Sequence, residues 1–145
     1  MAIRRWIIVL VYALMIFVFA QSAASGATPM IAKLREWFPS FSYDQAAAVV
    51  LYLRRLIHLG SYFLALVLVY SAVTATPLLN HFPYSVSVLL ALILAACDEW
   101  YQTRLPHRSG SAADVLLDLI GIFLAVGTIR LFSSIRNKNE KASSN

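Results

Sequence analysis

Long apolar runs set the rhythm of this chain, and compact polar stretches interrupt them. Four runs, residues 6–20, 56–75, 84–97 and 115–131, approach the length needed to cross a bilayer. The hydrocarbon is about 30 Å thick, so a spanning helix takes roughly 20 mostly apolar residues. The third run is short by that measure, and Trp100 and Tyr101 extend it with rings suited to the membrane interface. Between the first two runs, Met30, Leu34, Trp37 and Phe38 recur at helical spacing while Lys33 and Arg35 turn elsewhere. That pattern predicts a short helix lying in the interface. Ser42 and Gln45 have the spacing of a capping box, so the second spanning helix starts near Tyr43, and Pro77 stops it. Pro106 and Gly110 break the chain before a last helix over residues 112–132. The expected fold is an all-α membrane protein: a four-helix antiparallel transmembrane bundle over residues 1–136, an interfacial helix between helices one and two, and a disordered polar tail over 137–145.

Composition narrows the function classes. With 60% hydrophobic and 13% charged residues among 145, and a mean hydropathy of +0.71, the chain lacks the polar surface of a soluble domain of its size. The net charge of +5 sits at helix ends, with no soluble basic domain to carry it. Nucleic acid is therefore not an expected partner, whereas anionic lipid headgroups are. Cys97 is the single cysteine, which excludes an intrachain disulfide, and it reads as a small apolar filler. Arg4, Arg5 and the small-residue tract from Gln21 to Ala27 also fit a secretory signal, but three further apolar runs commit the chain to the membrane regardless. Lys and Arg are balanced between the two sides of a four-span bundle. Because Arg4 and Arg5 directly precede the first span, both termini are expected in the cytoplasm.

Helix parity places most of the remaining polar residues together. In an antiparallel bundle the end of helix one, the start of helix two, the end of helix three and the start of helix four share one face. That face collects Gln21, Ser22, Arg54, Arg55, His58, Asp98, Glu99, Gln102, Arg104, His107, Arg108, Asp114 and Asp118. Arg54, His58 and Tyr62 repeat at four, as do Asp98 with Gln102 and Asp114 with Asp118, so each set shares a helix side. Asp118 lies about 6 Å deeper than Asp114, too deep for a carboxylate to face lipid. Gly121 with Ala125, and Ser61 with Ala65, are small pairs that let membrane helices approach closely. Arginine forks suit phosphate or carboxylate, which makes Arg54, Arg55 and Arg108, with Asp98, Gln102, Asp114 and Asp118, the candidate ligand-binding set. Glu99 or His58 is the candidate acid or base. A divalent metal on Asp98, Glu99 and Asp114 has no diagnostic spacing behind it, and no metal or other cofactor is expected. A clamp of mutually neutralising charges is the competing structural account.

These residues resemble the VanZ-like family of small bacterial membrane proteins. Asp98-Glu99, Gln102, Arg108, Asp114, Asp118 and Gly121 follow the spacing of its signature, and upstream Arg55, His58 and Tyr62, with Phe19 and Ser22, match as well. Two positions depart from it. Asp118 stands where the family usually has Asn, and its added charge calls for a neighbouring arginine. Arg54 stands where an acidic residue is common. The resemblance implies a multi-pass protein of the bacterial inner membrane with a role in the cell envelope. The family's namesake is associated with low-level resistance to the glycopeptide teicoplanin. The expected function is binding or modulating an anionic lipid, a lipid-linked cell-wall precursor or a lipophilic glycopeptide at the polar face. The alternatives are an enzyme acting on a lipid-linked phosphate or acyl group, and a clamp for a membrane-protein partner.

Overall fold

A computed structural model describes residues 1–22, 26–105 and 112–143. The chain runs through α1 (Ala2–Gln21), α2 (Ala27–Trp37), α3 (Tyr43–Thr74), α4 (Pro83–Gln102) and α5 (Ala112–Ser143), with no strand among the described residues. Four of these helices are long and apolar enough to cross a membrane, and α2 is the short element between the first two. The architecture is the expected all-α membrane bundle.

Local chemistry sets the helix ends. Ser42 Oγ accepts from the Gln45 amide at 3.2 Å, and Gln45 Oε1 accepts from the Ser42 amide at 2.9 Å. This completed capping box starts α3 where the sequence placed it. Pro83 occupies the first turn of α4, where its missing N–H costs nothing. One boundary differs. Instead of ending near Phe132, α5 continues to Ser143 through most of the segment expected to be disordered. An i,i+4 pair, Arg136 with Glu140 at 3.7 Å, lies on that extension, where the polar residues continue a helical register already propagated from the membrane.

α3 is the axis of the molecule and packs against each of the other four helices. Its 32 residues measure about 48 Å, well beyond the hydrocarbon thickness. The excess lies at its N-terminal end, where Ala46 and Val50 cover Ile31 of α2. Deeper in the bundle, Tyr62, Ala65 and Leu66 of α3 meet Ala91 and Ala95 of α4 and Ile122 and Ala125 of α5. The many alanines bring the backbones close, which is how helices associate where lipid removes most of the hydrophobic drive. Gly121 marks a close approach of α5 to α3: a Cβ there would collide with the Leu59 carbonyl and lie 3.1 Å from the Phe63 amide nitrogen.

α1 is peripheral and tied at intervals. Arg5 donates to the Ser71 carbonyl at 2.7 Å, Trp6 Nε1 to Thr76 Oγ1 at 3.0 Å, Tyr12 to the Ser61 carbonyl at 3.0 Å, and Gln21 to the Tyr101 hydroxyl. Its outer face, including Ile7, Leu10 and Leu14, is bare, as are Leu89 and Ile93 of α4 and Leu116 and Phe123 of α5. Such a surface suits acyl chains and would drive aggregation in water.

Candidate functional site

The polar side chains of α3, α4 and α5 meet inside the bundle. Asp98 on α4 is 2% exposed and accepts two hydrogen bonds, from Tyr62 Oη at 3.0 Å and Gln102 Nε2 at 2.9 Å. Both donors converge on Oδ2, and Oδ1 has no hydrogen-bond partner among the described residues. One turn toward the membrane edge on α3, His58 Nδ1 lies 3.1 Å from Oδ1 of Asp118 on α5. With Asp118 ionised the carboxylate only accepts and Nδ1 donates to it, and a neutral ring in that arrangement keeps Nε2 as an acceptor. Asp118 is 1% exposed, and its Oδ2 also lacks a partner among the described residues.

Each pairing has a helical cause. Asp98 and Gln102 are one turn apart on α4, and His58 and Tyr62 one turn apart on α3. Two adjacent turns of α3 therefore address α5 and α4 respectively. Gly121, three residues after Asp118, brings α5 close enough for the His58 contact. Asp118 was expected to call for an arginine; His58 takes that place instead, because Asp118 faces α3 at the level of the imidazole.

A cleft of about 370 Å³ opens beside this network, between α1, α2 and α3. Tyr12, Met15, Ile16 and Phe19 of α1 and Met30 of α2 form its apolar walls, while Arg54, His58, Ser61, Tyr62 and Asp98 supply its polar part. Arg54 is half-buried there, one helical turn before His58 on α3. Met30 also borders a second, mostly apolar hollow of about 500 Å³ with Lys33, Trp37 and Leu53.

The structure thus buries two neighbouring hydrogen-bonded sets, His58–Asp118 and Tyr62–Asp98–Gln102, with Arg54 at the adjoining cleft. Glu99 is buried on α4 beside Asp98, and the partner of His58 is Asp118. Arg55 is exposed on another side of α3, Asp114 is half-buried one turn from Asp118, and Arg104 stacks over Trp100 at 4.8 Å. Arg108 and His107 lie outside the described residues. Among the described residues no three His, Cys, Asp or Glu side chains gather as a metal site requires. Sequence reasoning did not single out Tyr62 as the Asp98 donor, although its four-residue repeat with Arg54 and His58 carried the signal. Of the α1 wall it named only Phe19, because between Arg5 and Gln21 α1 is almost wholly apolar and nothing in its pattern marks the face turned to α3.

Searches of curated proteins and of solved structures returned no match. A family model does match, over residues 6–133, a span that takes in most of α1, all of α2, α3 and α4, α5 as far as Ser133, the cleft and the buried polar residues. The chain belongs to the VanZ/LLP1 family of membrane proteins.

Proposed function

We propose that this protein binds an envelope lipid or lipid-linked precursor in the cleft between α1 and α3, with the anionic headgroup on Arg54 and the acyl chain along α1. One observation carries the reading: a mostly apolar cleft ends on an arginine and a buried polar network. Ligand sites typically combine an apolar lining with a few convergent polar groups, in volumes of about 300–1,000 Å³. Met15 and Phe19 border the cleft and are also exposed on the lipid-facing side, so a chain can enter from the bilayer. The proposed setting is a bacterial inner membrane with both termini cytoplasmic, which turns the polar end of the cleft toward the cell exterior, where a lipid-linked precursor or a lipophilic glycopeptide is met.

A photocrosslinking side chain at Met15, compared with one at Leu10, tests the reading. Leu10 is equally open to lipid but does not border the cleft. A lipid species captured at Met15, absent at Leu10 and lost with Arg54→Gln is the expected result. Identical lipid profiles at the two positions would refute the site.

A second reading, a lipid-modifying enzyme, draws on the His58–Asp118 pair, which leaves Nε2 of a cleft-lining histidine to take a proton from water. Incubating the purified protein with phospho- and acyl-lipids and detecting a product abolished by His58→Gln and by Glu99→Gln would favour it.

A further inference from the structure

The polar end of the cleft is rich in acceptors. Asp98 borders the cleft, is almost wholly buried, and makes no ion pair among the described residues. Among the described residues two donors reach it, Tyr62 and Gln102, and both bind Oδ2; Oδ1 is buried and has no hydrogen-bond partner among those residues. His58, with Nδ1 committed to Asp118, adds a second acceptor when neutral. Among the described residues, Arg54 is the one Lys or Arg lining the cleft. Buried carboxylates are ordinarily paired with a cation, and a buried oxygen without a donor is costly.

We infer that the ligand's headgroup carries a primary ammonium beside its phosphate, the phosphate seated on Arg54 and the ammonium paired with the Asp98 carboxylate. This rests on the headgroup site proposed above and specifies its chemistry. A neutral hydroxyl would give Oδ1 a hydrogen bond but leave the carboxylate charge unmatched. An ammonium does both, and supplies further N–H donors within reach of His58. A purely anionic headgroup would satisfy Arg54 and meet Asp98 and Asp118 with repulsion. The cleft, at about 370 Å³, takes such a headgroup and the first methylenes, and the rest of the chain runs out past Met15 and Phe19 into lipid.

The test is native mass spectrometry of the full chain in detergent, titrated with three dioleoyl lipids that share a phosphodiester. Phosphatidylethanolamine has the ammonium, phosphatidylcholine has a cation without an N–H donor, and phosphatidylglycerol has hydroxyls without a cation. A charge-assisted hydrogen bond predicts that phosphatidylethanolamine binds roughly tenfold or more tighter than the other two. Asp98→Asn still offers an acceptor to Tyr62 and Gln102 while removing the charge, and should erase that preference with phosphatidylcholine binding unchanged. Arg54→Gln should weaken all three lipids alike. Equal binding of the three lipids by the unsubstituted protein, or a preference for phosphatidylglycerol, overturns the ammonium assignment and leaves the headgroup site standing. Binding of none of them overturns both. The comparison of lipids on the unsubstituted protein holds even if Asp98→Asn fails to fold.

Discussion

His58 and Asp118 depend on each other more than on anything else near them. Removing the imidazole leaves a carboxylate buried without its donor, so His58→Leu should destabilise the protein by about 3–5 kcal/mol, the usual cost of breaking a buried pair from one side. Asp118→Asn keeps an oxygen for the Nδ1 proton and buries no charge, so it should cost far less. Unfolding of the purified variants in detergent gives the ranking, and a milder loss for His58→Leu than for Asp118→Asn would refute the pairing. Tyr62→Phe removes one of two donors on Asp98 Oδ2 and should cost about 1–3 kcal/mol. Much of this was legible residue by residue: the four-residue repeats identified which side chains share a helix face. They could not say which repeat faces which, because that depends on how each helix is rotated about its axis.

Close approach of α3 and α5 decides that rotation. Gly121→Ala pushes a methyl into the Leu59 carbonyl, which is backbone and cannot step aside. Separation of the two helices should cost about 1–3 kcal/mol, as overpacking generally does. Gly127→Ala on the same helix meets nothing within 4 Å and should be neutral, or stabilising by up to about 1 kcal/mol. Equal effects of the two substitutions in the same unfolding assay would exclude a glycine-dependent contact. At the other end of α3, Ser42→Ala removes one arm of the capping box and should cost about 1 kcal/mol. The small-residue spacing of Gly121 and Ala125 and the Ser42–Gln45 motif were both readable in advance, being local features. The length of α5 was not, since a polar stretch read alone gives no sign that a long helix will carry through it.

For the molecule as a whole, the alternation of spans puts α2 on one side of the membrane and the turn at Asn80 on the other, with both termini. In a Cys97→Ser background, a cysteine placed at Glu36 should react with an impermeant thiol reagent on intact cells, and one placed at Asn80 only after lysis. The reverse pattern would invert the proposed orientation and turn the polar end of the cleft toward the cytoplasm. Labelling of both positions in intact cells would contradict the four-span bundle itself. The number of spans, the short helix between the first two, the helix starts and the gathering of polar residues at one end follow from the sequence alone, because hydrophobic length and helical period are local properties and parity follows from counting. The His58–Asp118 and Tyr62–Asp98–Gln102 pairings, the outward position of Arg55 and the cleft beneath α1 belong to the tertiary structure. Those depend on rotation and spacing between helices, which are set by contacts such as Gly121 on Leu59 between residues far apart in the chain.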